Sequence, residues 1–304
     1  MGKKIFFAIL LSLFLFFLSF FIFDFQPTAN PNPKQNELPP HQESLEATAE
    51  ASNWPEFYRL EFTGLNLNPT HVQYDQTKKR LAIFDSQQSK LVILNLERKN
   101  FSLLDVPRPS ASAITWSQGK LYLYDQAVYY YDFNQNQWEQ ISPTFDFQTS
   151  VKHIAKFGDN FYLFGDNLLR KVSYSKENKY LGLESWLKDE EKTSLTPDQV
   201  LVDGHIFIIN PSGQISRYLR GELTNWQPKN LIFTAPSYLT SQSQGYYLLS
   251  PSHQTLFELD YQGNNIQQYQ DQILQSAKFL WYDHDLNTFY TLINQNIHAF
   301  SPQL

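Results

Sequence analysis

The 304-residue chain contains no cysteine. Disulfide staples, thiolate nucleophiles, thiolate zinc sites and a lipidated N-terminal cysteine are therefore excluded. Glycine is scarce, with 11 in all, and there is one methionine. Charged residues make up only 18%, and the net charge is −6. The basic face on which nucleic-acid binding depends is missing, so no nucleic-acid partner is expected. Familiar catalytic signatures are missing too: the chain has no G-x-S-x-G, no H-E-x-x-H, no G-x-G-x-x-G and no phosphate-binding loop. Its seven histidines are scattered, none at metal-ligand spacing.

Aromatic residues are abundant at 16%, with 25 Phe and 18 Tyr. Such side chains suit pleated, half-buried surfaces, so the composition leans toward strands. One long apolar run exists, from Ile5 to Phe23, interrupted only by Ser12 and Ser19 and preceded by Lys3 and Lys4. At about 1.5 Å per residue it spans roughly 28 Å, close to the hydrocarbon thickness of a bilayer. Asp24, Phe25 and Gln26 follow without a small-x-small cleavage site, which favours a retained anchor over a cleaved signal peptide. The two lysines orient its N-terminus inward and the bulk of the chain outward. Residues 1–25 are read as a transmembrane signal anchor in the cell membrane. Residues 26–52 are read as a linker, because Pro27, Pro31, Pro33, Pro39 and Pro40 stand among polar residues with almost nothing to bury.

From residue 53 to 304 the pattern repeats. Leu81–Phe84, Leu121–Tyr124, Phe161–Phe164, Ile206–Ile209, Tyr246–Leu249 and Phe289–Leu292 are short runs apolar at consecutive positions. They recur about every 40–45 residues, the spacing of propeller blades. Consecutive rather than alternate apolar positions mark a strand covered on both faces. Shorter strand candidates precede and follow each run. The expected fold is all-β, a six-bladed β-propeller of four-stranded blades behind an N-terminal transmembrane helix. The sixth unit lacks an outer strand, and the candidate Phe57–Thr63 ahead of the first blade can supply it and close the ring.

Leu256 to Asn264 and Val202 to Ile208 resemble NHL-type repeats, and Val128 to Trp138 resembles a kelch repeat. The whole is similar to uncharacterised membrane-anchored propeller proteins of bacteria. The resemblance implies the propeller fold and no particular activity.

Asp85, Asp125, Asp166, Asn210 and Asn294 each follow the second strand of a blade. The loops entering the inner strands carry His71, Lys152, His153, Asp198 and Lys278 and lie on the same face. His71, Asp85, Asp125, Lys152, His153 and Asp166 are the candidate binding residues, with His71, Lys152 and His153 expected on adjacent blades. Asp and Asn are also favoured at such turns by backbone geometry alone. Asp283-His284-Asp285-Leu286-Asn287 has the alternating oxygens of a calcium loop, but Thr288 and Asn294 stand where Gly and Glu are needed. A polar hairpin turn is expected there. Lys188 to Lys192 reads as a solvated insertion, with Trp186 pinning it to the ring.

The expected function is a binding or scaffolding module with a protein, peptide or glycan partner in the cell envelope. The alternative is a metal-dependent hydrolase or lactonase using carboxylates near the propeller axis, since six-bladed lactonases hold their metal with acidic and amide oxygens there. No catalytic residue, metal ligand or cofactor is expected; the alternative would need Ca2+ or another divalent ion. A reporter fused after Leu304 is expected to work only in its extracytoplasmic form. Activity of a cytoplasmic reporter at that position would overturn the orientation.

Overall fold

The computed structural model describes residues 49–51, 53–60, 64–175, 179–188, 194–229, 231 and 237–302. The expected anchor over residues 5–23 and most of the linker lie outside them. No helix among the described residues is long and apolar enough to cross a membrane.

Two short strands come first, β1 (Ala49–Ala51) and β2 (Glu56–Arg59). Blade 1 follows with β3 (His71–Asp75), β4 (Arg80–Asp85), β5 (Lys90–Asn95) and β6 (Asn100–Asp105). Blade 2 holds β7 (Ala113–Ser117), β8 (Lys120–Tyr124), β9 (Val128–Asp132) and β10 (Gln137–Gln140). Blade 3 holds β11 (Val151–Phe157), β12 (Asn160–Gly165), β13 (Leu168–Tyr174) and β14 (Tyr180–Ser185). Blade 4 holds β15 (Gln199–Val202), β16 (Ile206–Ile209), β17 (Ile215–Leu219) and β18 (Glu222–Thr224). Blade 5 holds β19 (Tyr238–Gln242), β20 (Gly245–Ser250), β21 (Thr255–Asp260) and β22 (Asn265–Gln270). Blade 6 holds β23 (Ala277–Asp283), β24 (Thr288–Ile293) and β25 (Asn296–Phe300). Within each blade the strands pair antiparallel in chain order. The fold is a six-bladed β-propeller of four-stranded blades.

The packing explains the consecutive apolar runs. Ala82 and Phe84 of β4 pack with Leu121 and Leu123 of β8, filling the seam between blades 1 and 2. The alternate residues Leu81 and Ile83 point the other way, into the seam with blade 6. Likewise Tyr122 and Tyr124 of β8 turn toward Phe161 and Leu163 of β12. Each second strand is thus buried on both faces, and the core is distributed over six wedges between blades. Trp186 packs against the wedge between blades 3 and 4, edge-on to Tyr162 at 5.9 Å.

Closure is made by β2, which pairs antiparallel with β25 (Glu56 opposite His298, Arg59 opposite Asn296) and becomes the outer strand of blade 6. Ala299 N donates to Pro55 O at 3.1 Å, and Leu60 N donates to Gln295 O at 3.0 Å. The closing segment also fills both seams of its blade. Trp54 is buried against Phe289 and Leu249 on the blade 5 side, while Tyr58 and Leu60 join the wedge with blade 1. At the far face the same seam is tied by Asp283, which is almost wholly buried. Its carboxylate accepts from Lys79 Nζ at 2.7 Å, Tyr74 OH at 2.5 Å and Gln76 Nε2 at 3.0 Å. Burial would raise the pKa of Asp283, but these donors outweigh it and hold the carboxyl below the usual range. Asp283 Oδ1 also accepts from the backbone N of Asp285 and Leu286. The calcium-like stretch is therefore a capped hairpin turn.

A further strand was not foreseen. β1 pairs parallel with β22 (Ala49 opposite Gln268, Ala51 opposite Gln270) and adds a fifth strand to blade 5. Paired structure thus begins inside the stretch read from composition as linker.

Deleting residues 54–60 removes Trp54, Tyr58 and Leu60 from two wedges and is expected to cost on the order of 5 kcal/mol. Deleting residues 26–44 is expected to leave the melting temperature nearly unchanged. Thermal unfolding of the two variants checks this, and equal effects would rule out closure by β2.

Candidate functional site

The turns after the second strands and the loops entering the inner strands share one face. Of the six expected site residues, His71 meets His153 and Lys152 meets Asp166, whereas Asp85 and Asp125 are each held by other neighbours. Three neighbours define the role of Asp85. Asp85 Oδ1 accepts from the backbone N of Gln87 and Gln88 at 3.1 and 3.0 Å. Oδ2 accepts from Asn68 N and Gln88 Nε2, both at 2.8 Å. Both oxygens are consumed by the turn, so Asp85 has no lone pair to spare for a ligand.

His71 and His153 meet directly, their rings 5.3 Å apart and edge-on. They are not on adjacent blades: blade 2 lies between blades 1 and 3. The intervening inner strand is entered through Ala111, Ser112 and Ala113, and the two alanines are buried in the wedges on either side of blade 2. His71 Nε2 donates to the Lys152 carbonyl at 2.7 Å, which selects the Nε2–H tautomer. His153 bonds the Pro197 carbonyl on the loop entering blade 4. Blades 1, 3 and 4 are thereby tied together across the mouth of the axis. Burial pushes both imidazoles down, His153 to about 3 with its neighbour His71 adding to the effect. The pair is neutral, and each ring is held by a backbone carbonyl. Lys152 turns outward and pairs with Asp166 (Nζ to Oδ1, 2.7 Å), both half exposed.

Asp125 is different. Its carboxylate is 1% exposed. Oδ1 accepts from Ser110 Oγ at 2.7 Å. No hydrogen-bond donor among the described residues reaches Oδ2; Arg108 Nε stands 3.7 Å away, too far to bond. Turn length separates Asp125 from Asp85. Four residues lie between Asp85 and Lys90, enough to bring backbone N–H groups back onto the carboxylate. Only Gln126 and Ala127 lie between Asp125 and Val128. That tight turn is closed by Asp125 N donating to Ala127 O instead.

Asp125 lies in a cleft of about 390 Å³ between blades 2 and 3. One wall is the loop 144–150 entering blade 3, which sequence reasoning passed over. Phe145 N donates to Gln126 O, fixing the loop to blade 2. Phe145 is buried in the wedge between blades 2 and 3, and Phe147 stacks on it at 5.7 Å. On the other side the loop backbone presses on Gly165, where an added Cβ would come within 2.3 Å of the Ser150 carbonyl oxygen. The one signal in the sequence was the alternation Phe145-Asp146-Phe147 in an otherwise polar loop.

A second cavity, of about 270 Å³, follows the axis between the inner strands of blades 1, 4, 5 and 6. Gln73, Gln199, Thr240 and Ser241 line it together with Phe279 and Trp281. Among the described residues no three His, Asp, Glu or Cys side chains stand close enough together to hold a metal ion.

No family model matches the chain, and no curated protein matches it. Solved structures do. One is a proposed gluconolactonase at 11% identity, covering 86% of this chain and 96% of that one with a TM-score of 0.58. Another is a gluconolactonase from Xanthomonas campestris at 10% identity, covering 84% and 98% with a TM-score of 0.58. A third belongs to the mitotic checkpoint complex, at 9% identity, 92% and 86% coverage and a TM-score of 0.52. The likeness establishes the shared propeller fold. Fold alone does not assign function, and these neighbours include both enzymes and a member of a protein assembly.

The histidine pair sets an acid limit. Unfolded, His153 takes up its proton near pH 6.5; folded, it does so only near pH 3. The unfolded state therefore binds more protons between these values, and stability falls as pH drops through them. The melting temperature is expected to hold steady from pH 8 to 7 and to fall from about 6.5 to 4. Carboxylates held low by their partners, such as Asp283, add their loss only below about pH 4. A His153→Gln variant should show a flatter slope in the upper window. An unchanged slope would remove the histidine pair as its cause.

Proposed function

We propose that this protein is a membrane-anchored, extracytoplasmic binding module whose propeller presents the face carrying Asp125, Lys152 and Asp166 to a partner in the cell envelope. The observation that carries this reading is the cleft between blades 2 and 3. It is concave, walled by a loop fixed at both sides, and floored by a buried carboxylate with an unsatisfied oxygen. Convergent polar groups around a preformed depression are what a ligand site requires. The placement outside the membrane rests on the apolar run 5–23 and on Lys3 and Lys4.

The hydrolase reading draws on the six-bladed fold that the chain shares with gluconolactonases. It is less well supported by the site. Asp85 is spent on its turn, Asp166 on Lys152, and among the described residues no three His, Asp, Glu or Cys side chains stand close enough together to hold a metal ion.

The test is capture of envelope components by the full chain, with and without a chelator. A Lys152→Ala, Asp166→Ala double variant, which alters only half-exposed side chains, is run in parallel. A partner retained after chelation and weakened by the double substitution supports the binding module. Copurification of about one metal ion per chain, with the partner or a hydrolytic activity lost on chelation, would favour the enzyme. Capture indifferent both to the double substitution and to Asp125→Asn would move the interaction to another surface.

A further inference from the structure

We infer that the cleft between blades 2 and 3 is a receptor site for a primary ammonium group, which displaces Arg108 from beside Asp125. This deepens the proposed binding function and rests on it.

The chemistry of the lining points to a cation. Asp125 and Asp146 both line the cleft, and no Lys, Arg or His is among its lining residues. Ser110, Thr144 and Gln148 add oxygens that accept hydrogen bonds, and Phe147 offers a half-buried ring for a cation to rest on. An anionic ligand would meet two carboxylates. A neutral apolar ligand would leave the buried oxygen of Asp125 unsatisfied.

A buried carboxylate oxygen with no donor is costly to keep. Arg108 offsets the charge from 3.7 Å without bonding it, and its side chain is half exposed. It is an imperfect, tethered occupant. An ammonium group is smaller than a guanidinium and carries three donors on one atom. It can bond Oδ2 directly while its remaining donors meet the hydroxyls around the cleft. Oδ2 is shielded from solvent as the protein stands, so entry requires Arg108 to swing outward, which its exposure permits. Ligand and Arg108 therefore compete for one carboxylate.

That competition gives two substitutions opposite signs. The ammonium can come from a free small amine or from a lysine of a protein partner. The full chain is titrated calorimetrically with cadaverine, with an acetylated and amidated Gly-Lys-Gly peptide, with the same peptide acetylated on its lysine, and with glucose. Both amines, or one of them, should bind, while the acetyl-lysine peptide and glucose should not. Asp125→Asn should weaken binding roughly ten- to a hundredfold, the effect of losing one hydrogen bond to a charged group. It keeps the oxygen that accepts from Ser110, so the turn is retained. Arg108→Gln should tighten binding several-fold. Preference for cadaverine would mark a small-molecule receptor, and preference for the peptide a protein-binding one. Absence of amine binding in both the wild type and the Arg108→Gln variant would overturn the inference. So would amine binding indifferent to Asp125→Asn, or glucose binding in its place. If the amines fail while envelope capture still responds to the Lys152 and Asp166 substitutions, the binding face stands and only its ligand class is wrong.

Discussion

The whole ring depends on one strand. Without β2 the sixth blade has no outer edge, and two of the six wedges lose their plugs, Trp54 on one side and Tyr58 with Leu60 on the other. A propeller has no central core to fall back on. Each second strand is dry only because a neighbouring blade covers each face, so opening one seam wets two blades at once. Burial of a large apolar side chain is worth about 1.5–3 kcal/mol, so a few residues of the closing segment decide whether the circle holds. Asp283, with Lys79, Tyr74 and Gln76 donating to it, ties the same seam at the opposite face. Removing one partner from such a buried arrangement leaves a charge uncompensated, which is why it works as a lock only when complete.

A rigid ring leaves its loops free to differ. The axis is not symmetric: the histidine pair closes the mouth toward blades 1 and 3, while an open cavity follows the inner strands of blades 1, 4, 5 and 6. Polar groups that elsewhere would converge on the axis are absorbed by structure, as with the two imidazoles and Asp85. The group left over, Asp125, sits away from the axis between two blades. Its environment follows from its turn being two residues shorter than that of Asp85.

The architecture could be read from the sequence because its signals are local. Runs such as Leu121–Tyr124 are apolar at every position since both faces are covered, and their spacing counts blades directly. The place of the closing strand followed from an incomplete sixth unit. The site was harder. That Asp85 and Asp125 occupy equivalent positions was legible; that one is satisfied and the other is not depends on where backbone N–H groups fall in each turn. That His71 reaches His153 past blade 2 is a tertiary fact with no pattern along the chain. Phe147 was overlooked because one alternation, Phe145-Asp146-Phe147, in an otherwise polar loop is too short to carry a periodicity. β1 has only three residues and pairs at an edge, so its alanines gave no strand signal to set against the prolines upstream.

The position of β1 bears on how the domain carries load. Tension applied to the chain ahead of residue 49 reaches the parallel ladder between β1 and β22 before it reaches the pairing of β2 with β25. Three residues' worth of backbone bonds yield first, and the short stretch between Ala51 and the buried Trp54 is then paid out as slack. The ring-closing strand feels the pull only after that. The domain therefore has a mechanical fuse at its rim, which can break and re-form while the circle behind it stays shut.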